Sequence, residues 1–304
     1  MSARPAPAWL WPALFVLIWA SGYVVARFGM PHGPPFTFLA WRFVLSILAF
    51  MVWIGLSMAF TRNAVAWPAG RSQWLHLAAT GLLMHAGYLG GVWAAVKAGI
   101  GAGLSALIVN FQPVLTALWV AYWGGLVTRR QWWGLLLGFV GLMLVMSRKF
   151  GAGGEATLTN VALCGLALLT MTAGALYQKR FVHQGDVRTQ VLVQLLAGLC
   201  VMLPLGALET EHMRWAGAWH GWNAQLLGAM AFSVGVLTLG GSSLLFLLLQ
   251  RGEATQVTSL LYLVPPVTAV MAWLLFGETL TLLSMAGMGL VAVGVLMVVR
   301  QPGR

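Results

Sequence analysis

Hydrophobic residues in this chain run together in long blocks, and most of the charge falls in the short polar stretches between them. A hydrocarbon core of about 30 Å takes about 20 residues of helix to cross. Ten blocks of roughly that length can be drawn, at 9–28, 36–57, 73–96, 101–124 and 130–147, then 160–181, 187–207, 223–250, 254–276 and 281–299. Lipid offers no water to backbone groups, so a spanning segment is a helix or part of a closed barrel, and these runs are too long for barrel strands. The pattern predicts an all-α integral membrane protein with ten transmembrane helices.

The blocks repeat. A shift of 153 residues lays Pro113-Val114, Gly124, Thr128, Gly134 and Gly141 on Pro266-Val267, Gly277, Thr281, Gly287 and Gly294, and Arg27-Phe28 on Arg180-Phe181. A repeat of that length means two paired bundles, not a solenoid. The expected units are 9–147 and 160–299, joined by a loop at 148–159. Five helices per unit is an odd number, so the second bundle enters from the opposite side, and inverted repeats point to transport.

Composition sharpens the picture: 60% of residues are hydrophobic, 8% are charged and the mean hydropathy is +0.85. The net charge is +11. Its basic residues lie in loops: with the N-terminus inside, 11 fall on the cytoplasmic side and 5 outside, with Arg42 left within a span. Both termini are therefore expected in the cytoplasm. That distribution explains the charge better than a nucleic-acid partner does. The first apolar run ends in Ala20-Ser21-Gly22 but continues to spanning length, and is read as an uncleaved span. Cys164 and Cys200 both fall inside spans, as small buried residues, with no disulfide framework or metal site. No G-x-x-x-x-G-K-[ST] run exists, and no cofactor is expected.

Several stretches resemble a known family. Ile18 to Arg27 (IWASGYVVAR), Pro34-Pro35, Ala40-Trp41-Arg42-Phe43, Pro265-Pro266-Val267 and Gly277-Glu278-Thr279-Leu280-Thr281 together resemble the ten-helix, EamA-type branch of the drug/metabolite transporter superfamily, over nearly the whole chain. The resemblance implies export of amino acids and other small metabolites, and a midplane cavity lined by spans one, three, four, six, eight and nine. Two departures separate the halves: Gly125 stands where the second half has Glu278, and the second half lacks a counterpart to Trp41-Arg42-Phe43.

Polar groups within spans are where function is sought, because each is costly unless it faces protein or water. His85 and Tyr88 are three residues apart on one helical face, with Trp93 further along. The alternative is a histidine satisfied by a neighbouring helix. Ser105, Asn110 and Gln112 precede Pro113, and Thr258, Ser259 and Tyr262 precede Pro265 and Pro266. Prolines there are expected to kink the helices and free midplane carbonyls for a substrate. The alternative is a pair of structural kinks. Trp19, Ser21 and Tyr177 complete the expected substrate-binding set, and Gly134/Gly138 and Gly87/Gly91 are expected to pack helices closely. Arg42, the one strong charge within a span, is read as structural, snorkelling outward and paired with a group such as Glu278, which itself holds the turn between the last two spans; the alternative is that it binds the carboxylate of an amino-acid substrate.

None of the six acidic residues lies mid-span, and His85 is the one mid-span group whose charge could change near neutral pH. Facilitated diffusion or exchange is the primary expectation, with proton-coupled drug or metabolite efflux through His85 as the alternative. A cavity without carboxylates favours zwitterions or neutral amphipathic compounds over multivalent cations. A membrane-embedded enzyme would need a nucleophile with a base, or metal ligands, and the six histidines have no such company. A small-molecule substrate, surrounding lipid and a monomer or weak homodimer are the partners expected.

Overall fold

The computed structural model describes residues 10–61, 65–122, 128–147, 155–182, 185–216, 222–241, 244 and 263–299. Most of these residues are helical, and an isolated bridge between Ala216 and Trp222 is the one β-type pairing among them. The elements are α1 (Leu10–Gly29), α2 (Pro35–Thr61), α3 (Gly70–Gly81), α4 (Gly90–Lys97), α5 (Ala102–Val109), α6 (Gln112–Tyr122), α7 (Arg129–Ser147), α8 (Leu158–Phe181), α9 (Val187–Ala207), α10 (Ala224–Phe232), α11 (Val264–Phe276) and α12 (Leu282–Val299). Two π-helical segments, Leu82–Leu89 between α3 and α4 and Ser233–Gly241 after α10, complete the set.

Ala13–His32, Pro35–Phe60, Leu158–Phe181, Val187–Ala207 and Ala224–Gly241 are long and apolar enough to cross a membrane, and Ala102–Thr116 (interrupted between α5 and α6), Val264–Phe276 and Leu282–Gly294 are shorter apolar helical stretches. Large apolar side chains cover the outside: Leu48, Met51, Val52 and Leu56 along α2, and Leu136, Phe139, Val140 and Met143 along α7. Polar side chains such as Ser46, Thr80, Asn160, Gln194 and Thr268 are inside. An apolar exterior of this extent is stable only against lipid.

Helix starts depend on the other half of the chain. The Glu209 carboxylate accepts from the amides of Phe36 (3.0 Å) and Thr37 (2.7 Å) and from the Thr37 hydroxyl (2.8 Å), which caps α2. Glu278 accepts from Ala102 (2.9 Å) and Gly103 (3.4 Å) and so caps α5, while Arg27 approaches it at 3.5 Å. A carboxylate beside the free N–H groups of a helix start satisfies orphan donors and complements the helix dipole. Lys97 adds a bond to Glu211 and donates to the carbonyls of Met30 and Gly33, so one end of the bundle is tied by charge. This corrects the expected pairing of Arg42 with Glu278: the partner of Glu278 is Arg27.

Pro265 and Pro266, expected to kink a span, begin a helix instead, while Pro113 follows a break in its span and Pro204 stands inside α9. Pro265 and Pro266 occupy the first turn of α11, where a missing N–H costs nothing, and Pro113 is the second residue of α6. The expected fourth span is therefore two helices, broken where Asn110 ends α5 with ψ near 7°. The hairpin from α11 to α12 turns on Gly277 at φ 66°, a left-handed conformation that glycine adopts without strain.

Glycines set close helix contacts. A methyl group added at Gly294 would meet the Gly134 carbonyl oxygen at 2.5 Å, and one at Gly141 would meet the Gly287 carbonyl oxygen at 2.6 Å. The two contacts are reciprocal under the 153-residue shift, since Gly134 maps to Gly287 and Gly141 to Gly294. Helix α7 thus packs on α12 as a self-complementary pair does about a two-fold axis. Gly87 and Gly91 pack against Thr170 and against Leu163 and Ala167 of α8.

Candidate functional site

The two π-helical segments sit at matching positions of the repeat and face the same cavity. One extra residue per turn shifts the register of the side chains that follow, and such segments occur often at functional sites. The cavity has a volume of about 130 Å³. Its walls come from α1 (Ile18, Trp19, Gly22, Tyr23), α2 (Arg42, Phe43), the first π segment and α4 (Met84, His85, Tyr88, Leu89, Val92, Trp93), α8 (Met171), α9 (Leu195) and the second π segment (Leu237, Thr238). Four pairs of wall residues are repeat mates: Ile18 with Met171, Arg42 with Leu195, Met84 with Leu237, and His85 with Thr238. The cavity therefore draws equivalent positions from both halves, and its charge comes from one half alone.

Arg42 is the main correction to the sequence reading. It is 6% exposed, and its guanidinium points into the bundle, not out to the interface. Its Nε and Nη2 donate to Thr238 Oγ1 at 3.3 and 3.2 Å, and its Cζ lies 5.9 Å from the Trp93 ring centre. Thr238 in turn donates to the Ser233 carbonyl at 2.9 Å, along the wide turn of the π segment. Among the described residues no carboxylate pairs with Arg42. Snorkelling fails because α2 turns this face to α4 and the second π segment and leaves the lipid face to Leu45, Leu48 and Val52.

The other polar groups form a ladder on the far wall. Tyr23 and Tyr88 share a hydrogen bond at 3.5 Å, and the Asn110 amide donates to the Tyr23 hydroxyl at 3.4 Å. Asn110 stands behind the wall, its amide also bonded to the Ala106 carbonyl at the α5 break. His85 packs 5.8 Å from Phe43, ring centre to ring centre, and its Nδ1 is buried without a partner. A buried polar atom with no bond calls for an explanation, and a cavity occupant is one.

Of the residues singled out from sequence, Trp19, His85, Tyr88, Trp93 and Arg42 come together around the cavity. Ser21 instead donates to the Ile18 carbonyl within its own helix. Gln112 starts α6 away from the cavity. Tyr177 lies on a separate cluster, where its hydroxyl meets His76 Nδ1 at 2.8 Å beside Phe181. Pro265 and Pro266 border a small space with Asn110, outside the main cavity. Ser259, Tyr262 and Gly125 lie outside the described residues, and Cys200 is exposed where a buried cysteine was expected. Sequence reasoning did not find Phe43, Met84 or Thr238, although Thr238 is the repeat mate of His85.

Helices with an apolar exterior, enclosing an interior cavity with a few polar side chains, define a multi-pass membrane protein built to hold a small molecule away from lipid. The family model of the EamA-like transporter family matches residues 7–147 and again 159–300, and the chain belongs to that family. It is similar to the uncharacterized transporter YvbV of Bacillus subtilis (26% identical; 94% of this chain and 89% of that one). It is also similar to a probable amino-acid metabolite efflux pump of Salmonella typhimurium (25%; 92% and 91%) and to the uncharacterized inner membrane transporter YedA of Escherichia coli (26%; 95% and 90%). A crystal structure of a protein 15% identical to the chain shares its fold, with a TM-score of 0.63 over 96% of both chains. The chain is a membrane transporter that handles a small molecule within a lipid environment.

Proposed function

We propose that the protein exports small metabolites, amino acids or related zwitterionic compounds first among them, across a bacterial inner membrane by alternating access of two inverted five-helix bundles. The observation that carries this reading is the cavity between the halves, whose walls include four repeat-related pairs of residues. A site on a pseudo-two-fold axis is reached from either side by rocking one bundle against the other. The reciprocal glycine contacts of α7 with α12, the double match of the family model and the bias of basic residues all favour ten spans with both termini in the cytoplasm.

Size and chemistry narrow the substrate. Drug-sized ligands occupy pockets of about 300–1,000 Å³, so a cavity of about 130 Å³ favours a small metabolite. The Salmonella relative described as an amino-acid metabolite efflux pump points the same way. With no acid in the cavity wall, transport runs as facilitated diffusion or exchange, and His85 is the group to test if a proton is coupled. The protein works as a monomer or weak homodimer.

Counterflow of a labelled amino-acid mixture into proteoliposomes tests this reading. Saturable uptake without a pH gradient is expected, and it is lost in the His85→Ala, Tyr88→Phe double variant while that protein still accumulates in the membrane. Unchanged flux in the variant would remove the cavity from the pathway. Uptake that needs a pH gradient would make His85 the coupling site.

A further inference from the structure

We propose that Arg42 is the anchor for a substrate carboxylate, and that the protein selects small acids with an apolar body over the matching amides and amines. This rests on the cavity being the transport site. The guanidinium lines the cavity, is 6% exposed and has no carboxylate partner among the described residues. A buried cation without a counter-charge is strongly destabilising, so its retention points to a charge that arrives with the ligand. Its two observed bonds both go to Thr238 Oγ1, whose own proton is given to the Ser233 carbonyl. Thr238 therefore orients the guanidinium without neutralising it, and the Nη1 and remaining Nη2 hydrogens are left to meet a carboxylate end-on.

The surroundings fit the same class of ligand. Trp93 lies under the guanidinium, itself stacked on Phe38 at 4.5 Å, so the arginine rests on a rigid aromatic floor. His85, with Nδ1 unpartnered, adds an imidazole, and the rest of the wall is Gly22 and aromatic, aliphatic, thioether or hydroxyl-bearing side chains. The cavity offers no carboxylate to pair with an ammonium. An acid with an aliphatic tail thus matches both the charge and the apolar lining, and the Tyr23 and Tyr88 hydroxyl oxygens are the wall acceptors left for a substrate amine. The repeat mate of Arg42 is Leu195, so the anchor is single and gives the cavity one orientation for its ligand.

The test uses four compounds with one body: leucine, 4-methylpentanoate, leucinamide and isoamylamine. Their binding to the purified full-length protein is measured by ligand-induced thermal stabilisation, and their uptake by counterflow. Both carboxylates are expected to bind at least about tenfold more tightly than the amide and the amine, the range of a charge-assisted, desolvated pair. Arg42→Gln should abolish that preference, and Arg42→Lys should weaken the acids while keeping their rank. If the wild type binds and carries leucinamide as well as leucine, the carrier reading stands and the anchor falls. If Arg42→Gln lowers acid and amide binding alike, Arg42 is a structural residue and the anchor falls. If none of the four binds or moves, the carrier reading falls for this class of compound and takes the anchor with it. The wild-type panel decides the matter even if the Arg42 variants fold poorly.

Discussion

At the residue scale, the charged groups of this protein divide into those that hold the ends of the bundle and those that face its interior. Asp186 belongs to the first kind: it caps α9 and bonds to both the side chain and the amide of Arg188. Partial burial pushes its carboxyl up, and the bonds from Arg188 outweigh that, so the group sits below its ordinary value. A depressed carboxylate gives stability that is present above its unfolded pKa and is lost as pH falls through the folded one. Asp186→Ala should therefore cost about 1 kcal/mol at neutral pH, read by thermal unfolding in detergent. The difference from the parent should shrink below about pH 4, and a difference unchanged at pH 3 would contradict the role. Lys97 likewise holds Glu211 below the usual carboxylate range, but on an open surface. Arg42 is of the second kind, and its misreading from sequence has a plain cause. Hydropathy places a residue along a span to within a few positions but does not say which way a helix is turned, and that rotation decides between snorkelling and burial. His85, Tyr88 and Trp93 could be grouped because their spacing shares a face. Ser21 and Tyr177 could not be separated from them, since their hydrogen bonds to Ile18 and His76 depend on the fold.

At the element scale, helical boundaries were legible because composition changes sharply at them: α9 at Val187–Ala207 and α8 ending at Phe181 have the expected limits. The two π segments were not legible, since a change from i+4 to i+5 bonding leaves no composition signal. Nor was the use of proline as a helix start, which depends on a break at Asn110–Phe111 that the apolar run conceals. Glycine spacing foretold close packing but not the partner. Contact of α7 with α12 makes a specific prediction. Gly141→Ala and Gly294→Ala each push a methyl into backbone and should destabilise by about 1–3 kcal/mol, measured as a lowered unfolding temperature in detergent. Gly55→Ala, with nothing within 4 Å of the added methyl, should leave that temperature unchanged or slightly raised. Equal effects at all three positions would mean that the helix contact is not tight.

At the scale of the whole molecule, duplication explains the site better than any single residue does. The two halves contribute equivalent positions to the cavity wall and differ there in charge: Arg42 where the second half has Leu195, His85 where it has Thr238. The orientation drawn from the basic residues predicts that a cysteine at Ala98, in a protein with Cys200 replaced by serine, reacts with an impermeant maleimide from outside the cell, and one at Ala69 does not. The reverse pattern would invert the topology.

The central claim is that substrate passes through the cavity between the halves. The most direct measurement is counterflow by a Gly22→Leu variant beside the wild type at matched protein levels. Gly22 opens on the cavity, and an added Cβ there meets nothing closer than Leu237 at 3.8 Å, so the larger side chain fills the space without forcing helices apart. Flux should be lost while the unfolding temperature stays at or above that of the wild type. Undiminished flux through a filled cavity would contradict the account.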